Sequence, residues 1–452
     1  MRILILATDI YTRGGVARYT ATLAAALSRL PAHVDVLPLL GRLDSHIRGN
    51  DNEPGGDDDE PRRNSAPARN DDADGALEAW HRILSPTTDR LTTTAKIRHA
   101  VRALRQGRSH YNLVICSHLS QAPIAAMIRL SAGTPYVVVA HGSEAWGRLP
   151  MLKRLAVRGA RAVLAVSEYT ARALAAANRI PPERVKVIHN AISEHLVQAL
   201  TRGRGDPRGR PGQPQGLPLQ SRESGRPQGP PLRPMLLSVA SLKPEHSYKG
   251  VDTVIQALPQ IAAAVPKVRY IVAGEGEDRT RLERLASTLG VSDRVIFAGE
   301  LSDGDLAHLF HSCDVFVLPS RASRSEDDRW EGEGFGRVYV EAALAGKPVV
   351  GSRDGGAADA VGENRTGLLA DPRSVTSVAR AVIRLLQSQH WAASLGAEGR
   401  RWALERFTVT AMRGALARTL GEELELETGS GKSVVRRPPL SVVRGPSPTR
   451  LE

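Results

Sequence analysis

The sequence predicts an α/β protein built from two consecutive domains, each a parallel sheet covered by helices on both faces. Three observations carry this reading. Short apolar runs alternate with longer helix-period segments along most of the 452 residues, the pattern of a sheet buried on both sides. The alternation starts afresh at Met235. Between the two series, residues 202–234 are rich in Pro, Gly and Arg and read as a linker.

In the first series Arg2–Ala7 is a continuous apolar strand, Gly14-Gly15 the loop after it, and Val16–Leu30 a helix. Val34–Leu37, a basic helix near Lys96–Arg105, Leu113–Cys116, a helix after Pro123 and Tyr136–Ala140 follow. Val163–Val166 and Val185–Ile188 complete these strands. The second series runs Met235–Val239, a helix over Val251–Ala264, Val268–Ala273, a helix over Arg279–Leu289 and Val295–Phe297. A helix over Asp305–Ser312, Val315–Leu318, a helix after Gly336, Pro348–Gly351 and helices over Val375–Gln387 and Ala392–Leu404 close it. The domains are therefore drawn at 1–195 and 235–405, with 196–234 as linker and 406–425 as a final helix. Residues 44–78, with eleven acidic and four basic side chains, lack a hydrophobic pattern and read as a disordered insertion. Residues 426–452 read as a disordered basic tail.

The net charge of +13 favours an anionic partner. Nucleic acid is disfavoured, because aromatic residues are only 4% of the chain and no helix-turn-helix or zinc pattern occurs. Cys116 and Cys313 lie in apolar strand-like runs and read as buried thiols, not a disulfide. No apolar run reaches the ~18–20 residues that span a bilayer, and the apolar N-terminal run is too short for a signal peptide. A cytoplasmic protein is expected.

Glu333 and Glu341 stand eight positions apart across Gly334-Phe335-Gly336, which runs into a helix. Glycines let backbone approach a phosphate and the first helical N–H groups point at it, whereas carboxylates suit neutral hydroxyls. An anionic group flanked by hydroxyls describes a nucleotide-sugar; a plain helix start is the alternative for the motif taken alone. Gly14-Gly15 repeats the strand-glycine-helix arrangement in the first domain, or is an ordinary tight turn. His141 ends the strand Tyr136–Ala140, where a parallel sheet points residues into the crevice, and His118 holds the equivalent place after Leu113–Cys116. Lys249-Gly250 precedes a helix and can add charge to a phosphate site, or is a solvated loop lysine. Asp57-Asp58-Asp59 lies in low-complexity chain, so no metal site is expected.

Taken in order, Gly14-Gly15-Val16-Ala17-Arg18, Ala140-His141-Gly142-Ser143-Glu144-Ala145-Trp146, Val166-Ser167-Glu168, Tyr248-Lys249-Gly250 and Glu333-x7-Glu341 resemble the retaining GT-B glycosyltransferases of family 4. The likeness covers residues 1–42 and 96–420. It implies a GT-B fold, two facing Rossmann-like domains with an interdomain cleft, and a last helix crossing back to the first domain. It implies a nucleoside-diphosphate sugar as donor substrate, a glycan or lipid-linked acceptor, net retention, no cofactor and no required metal. By resemblance Glu341 binds the donor ribose, Glu333 sits near the transferred sugar, and backbone N–H groups around Gly334, Phe335 and Gly336 hold sugar and phosphate oxygens. Lys249 stabilises the diphosphate leaving group, Gly15 approaches it from the first domain, His141 meets the sugar, and the segment through Gly299 and Leu301 passes the base.

Two departures stand out. An arginine usual eight positions before the Lys-Gly lysine is Ser241 here, with Lys243 and Arg337 as candidate substitutes. The approach to the motif, Arg321–Trp330, is longer and more charged than usual. Lys153, Arg154, Arg158 and Arg161 beside Met151, Leu152 and Leu155 form a basic amphipathic stretch suited to peripheral contact with an anionic membrane, or an ordinary surface helix. A nucleotide-sugar epimerase of the same architecture and an inactive binding protein are the competing readings.

Overall fold

The computed structural model describes residues 1–8, 15–39, 81–83, 92–202, 234–325 and 327–425. Gly14, the acidic insertion at 44–78, most of the 196–234 linker and the 426–452 tail lie outside the described residues.

The first sheet comprises β1 (Arg2–Ala7), β2 (His33–Pro38), β3 (His81–Ile83), β4 (Leu113–Cys116), β5 (Tyr136–Ala140), β6 (Ala162–Ala165) and β7 (Val185–Val187). All are parallel, in the order β3-β2-β1-β4-β5-β6-β7. The second contains β8 (Met235–Val239), β9 (Arg269–Ala273), β10 (Val295–Gly299), β11 (Val315–Val317), β14 (Val349–Ser352) and β15 (Gly367–Ala370). These too are parallel, in the order β10-β9-β8-β11-β14-β15. A two-stranded hairpin of β12 (Ser323–Arg324) and β13 (Trp330–Glu331) interrupts the approach to the glutamate motif. In both sheets the chain starts in the interior and reverses direction of winding, so the crevice opens beyond the carboxyl ends of the strands.

Among the described residues, fourteen α-helices accompany the strands. In the first half they are α1 (Gly15–Ser28), α2 (Thr93–Gly107), α3 (Ala122–Ala132), α4 (Met151–Gly159), α5 (Glu168–Asn178) and α6 (Glu194–Thr201). In the second they are α7 (Val251–Ala264), α8 (Arg279–Thr288), α9 (Asp303–Ser312), α10 (Arg337–Leu344), α11 (Ala357–Ala360), α12 (Val375–Gln387), α13 (Gln389–Arg406) and α14 (Val409–Glu425).

Strand β1 explains why the apolar runs are continuous. Ile3, Ile5 and Ala7 enter one buried cluster with α1, while Leu4 and Leu6 enter a second cluster under α2, α3 and α4. Each of the isoleucine and leucine side chains, wholly removed from water, contributes about 1.5–3 kcal/mol. Both cysteines are buried free thiols. Helix capping follows local chemistry: Ser167, Ser302 and Ser374 each accept the N–H three residues on, at Thr170, Asp305 and Ser377.

The domain border differs from the expectation in one respect. Residues 196–201, read as linker, belong to α6, which packs on α9 and α10 of the second domain. Leu196 and Leu200, one turn apart, are buried there. The final helix α14 returns to pack against α1. Among the described residues no helix is long and apolar enough to cross a membrane.

Candidate active site

Helix α10 is placed by the residues just before it. Gly336 caps it at φ 88°, and a Cβ there would lie 2.3 Å from the Tyr339 ring, so only glycine fits. The Tyr339 hydroxyl donates to the Leu318 carbonyl at 2.7 Å and ties the helix to the end of β11. Gly334 meets the facing domain: a Cβ would stand 1.9 Å from the His141 carbonyl oxygen and 2.9 Å from Gly142 Cα. The two lips of the cleft therefore touch backbone to backbone. The Phe335 side chain turns away from this contact. Its ring stacks on His189 and meets Phe407 edge-on, filling the hinge where Ile192 N–H donates to the Phe407 carbonyl at 2.8 Å.

Lys249, at the end of a short 3-10 turn before α7, donates from Nζ to Glu333 Oε2 at 2.5 Å. The two side chains are 19% and 14% exposed. Burial works against the ammonium, yet Glu333 and Tyr248 more than offset it and hold the Lys249 pKa above the ordinary lysine value. Glu341, 3% exposed, lies one turn into α10 with Arg337 Nη2 at 3.9 Å from Oε1. Burial raises its pKa, with Arg337 opposing.

On the first domain, His141 follows β5. Its Nε2 donates to the Ser117 carbonyl at 2.6 Å, and its backbone N–H donates to Glu144 Oε1 at 2.7 Å. With the ring proton on Nε2, Nδ1 is an acceptor. Burial pushes the His141 pKa below the usual value, favouring the neutral ring, with Glu144 opposing. Tyr19 of α1 meets the imidazole edge-on at 4.9 Å and His118 stacks on it at 6.0 Å. His118 Nδ1 accepts the Ser120 N–H at 3.1 Å, so this histidine also caps the short turn after β4.

The remaining expected residues fall around the same crevice. Gly15 opens α1. Arg18, in the first turn of α1, reaches Asp303 of α9 at 3.6 Å across the cleft. Gly299 ends β10 at φ 72°, where the ladder with β9 shifts register, and Leu301 leads into α9. Lys249, Glu333, Gly334 and His141 are thus brought together, with Gly15, Glu341, Gly299 and Leu301 on the elements that flank them. Such a cleft presents a buried ammonium and two helix N-termini, one from each domain, a setting that suits a diphosphate.

One contributor was not singled out in the sequence. Gly355-Gly356 braces the motif loop: Gly356 N–H donates to the Glu333 carbonyl at 2.8 Å, and a Cβ on Gly356 would stand 1.9 Å from the Gly334 oxygen. The Asp354-Gly355-Gly356 turn after β14 was the available signal. The unusual Arg321–Trp330 stretch proves to be an interdomain strap. Trp330 meets Trp146 at 6.2 Å and covers Gly147, while Arg321 donates to the Ser247 carbonyl at 2.6 Å and Thr253 Oγ1 at 2.9 Å. Glu168 N–H, donating to Asp359 Oδ2 at 2.8 Å, closes the same side.

Comparison with known proteins agrees with this architecture. Residues 13–196 match the family described as Glycosyltransferase Family 4, and residues 221–402 that described as Glycosyl transferases group 1. The chain is 32% identical over 303 residues to a GDP-mannose-dependent alpha-(1-6)-phosphatidylinositol monomannoside mannosyltransferase of Mycobacterium tuberculosis, covering 66% of this chain and 72% of that one. It is 29% identical over 323 residues to the 2-deoxystreptamine glucosyltransferase of Streptomyces kanamyceticus, covering 68% and 75%. Among solved structures, HepE of Anabaena in complex with UDP superposes with a TM-score of 0.64 at 20% identity, over 93% of this chain and 100% of that one.

Proposed function

The chain belongs to glycosyltransferase family 4, and from that footing we propose that it moves a sugar from a nucleoside-diphosphate sugar to a glycan or lipid-linked acceptor. The product belongs to cell-surface polysaccharide or glycolipid synthesis. The observation that carries the reading is the Lys249–Glu333 pair at the start of α10, closed against His141 by the Gly334 contact. A glycolipid acceptor is supported by the phosphatidylinositol mannoside named for the mycobacterial relative. Donor binding is supported by the UDP held in the HepE structure.

In this reading the α10 amides and Lys249 take the charge that develops on the departing diphosphate, so the positive charge is supplied by the chain and no metal is required. Glu341 accepts from the ribose hydroxyls. Glu333, released by Lys249 when phosphate arrives, accepts from a hydroxyl of the transferred sugar. His141 offers Nδ1 to another. The anomeric configuration of the donor is retained.

The acceptor domain works as a peripheral protein on the cytoplasmic face of an anionic membrane. Of the exposed large apolar side chains among the described residues, all but Met1 and Leu404 lie on α2, α3 and α4: Ile97, Val101, Met127, Leu130, Met151, Leu152 and Leu155. Lys96, Arg98, Lys153, Arg154 and Arg158 stand on the same helices. Apolar insertion ringed by basic charge is the composition an anionic lipid surface selects.

The test is incubation of the purified protein with GDP- and UDP-sugars, with and without lipid-linked and glycan acceptors, followed by mass spectrometry and NMR of the product. A transferred sugar with the donor's anomeric configuration is expected. Inversion would remove the retaining assignment, donor epimerised without acceptor would make the protein an epimerase, and lack of nucleotide binding would leave a scaffold.

A further inference from the structure

We propose that Arg337, faced by Arg18 from the first domain, is the second cation on the donor diphosphate and replaces the arginine that is Ser241 in this chain. The inference rests on the nucleotide-sugar reading above and identifies how its diphosphate is held. Ser241 carries no charge. Lys243 is solvent-exposed and lines a small crevice with Ser241, Lys249, Asp278 and Arg281. Neither places a guanidinium at the head of α10.

Arg337 does. It is the first residue of α10, where a cation opposes the helix dipole and an anion is favoured. Its side chain is 10% exposed and Nη1 is buried with no hydrogen-bond partner among the described residues. The Glu341 carboxylate stands 3.9 Å from Nη2, beyond hydrogen-bond range. Buried guanidinium donors left unmade are costly, and the cost falls when an anion arrives. Burial pulls the Arg337 pKa down to about 10, so the group stays charged at neutral pH.

Arg18 has a related placement. It lies in the first turn of α1, and its contact to Asp303 is a loose 3.6 Å. Arg18 and Asp303 are also the charges, after Glu341, that act on Arg337. Two guanidinium groups, one from each domain, thus stand in the first turns of the two helices that flank the cleft. Planar forks of this kind match phosphate oxygens two at a time. The diphosphate would lie between them.

The experiment measures binding of GDP, UDP, guanosine and uridine by calorimetry to the full chain and to Arg337→Gln, Arg18→Gln and Ser241→Arg/Arg337→Gln. For whichever diphosphate the unaltered protein binds, Arg337→Gln is expected to weaken it about thirtyfold, the loss of one charge-assisted contact, while the matching nucleoside changes less than about threefold. Arg18→Gln, at a partly exposed site, is expected to weaken the diphosphate about threefold to tenfold. Ser241→Arg should recover much of the loss. Unchanged diphosphate binding in both single variants, or an equal loss of nucleoside, overturns the assignment and leaves the donor reading intact. No diphosphate binding by the unaltered protein removes the donor reading and this inference together. Should Arg337→Gln fail to fold, Arg18→Gln decides alone by the same ratio of diphosphate to nucleoside.

Discussion

Replacing Lys249 by alanine separates the stability of the site from its chemistry. Lys249 and Glu333 are mostly buried and lie 2.5 Å apart. Removing the ammonium leaves the Glu333 carboxylate in the cleft without its charge partner. Breaking a buried pair from one side costs about 3–5 kcal/mol, and the residual exposure of both groups admits water and favours the lower end, about 3 kcal/mol. For a domain of this size that is a fall in melting temperature of roughly 6–12 °C. Adding Glu333→Gln removes the stranded charge, so the double variant should recover at least half of the fall. Transfer should not recover: a cation aimed at a developing phosphate charge contributes about 10²–10³ in kcat. Thermal melts and initial rates of donor consumption, on the same preparations, give both numbers. A double variant as unstable as Lys249→Ala would refute the pairing argument. Transfer within threefold of the unaltered protein would refute the role.

Three further outcomes follow from the geometry. Gly334→Ala sets a Cβ 1.9 Å from the His141 oxygen, a backbone atom that cannot step aside; kcat/KM should fall at least about a hundredfold while nucleotide binding, measured by calorimetry, stays within a fewfold. His99 is 1% exposed, and burial drives its pKa down to about 4 against the opposing pull of Gln121. The unfolded chain takes up that proton near its ordinary value of about 6.5, so stability is full above it and falls as the pH drops toward 4, by about 3 kcal/mol in all. His118 and His141 shift the same way, so His99→Gln should flatten only part of the urea-midpoint loss between pH 6.5 and 4. Finally, Leu152→Ser/Leu155→Ser/Arg158→Ala should abolish flotation with anionic vesicles, each leucine and arginine contributing about 1–2 kcal/mol, and leave transfer to a water-soluble acceptor unchanged. Flotation equal to the unaltered protein would move the membrane contact elsewhere.

The sheets were legible because a doubly buried parallel strand writes itself as an unbroken apolar run. Ile3 and Leu4 face different clusters, yet both must be apolar, and the run needs no knowledge of partners. The 3-residue strand β3 lacked such a run and was missed; it is an edge strand with one neighbour. Helix α6 was taken for linker because the composition change after Thr201 dominates that region, whereas its helix is decided by the apolar surface of α9 and α10, which lies more than a hundred residues away.

The site divides in the same way. Glu333, Glu341, Lys249 and His141 could be picked out because each sits at a strand end or helix start whose local pattern announces it. The family resemblance, not local pattern, marked Ser241 as an anomaly. What local pattern could not contain is distance across the cleft: the 1.9 Å approach of Gly334 to His141, Trp330 covering Gly147, and Arg18 coming within 3.6 Å of Asp303. These contacts join residues far apart in the chain and arise only when two finished domains close on each other. Sequence alone therefore determined the two sheets and the chemistry carried on each lip. The closure of the lips, and with it the approach of Arg18 to Asp303 across the cleft, was decided by tertiary packing, because periodicity encodes which face of an element is buried and not which surface it is buried against.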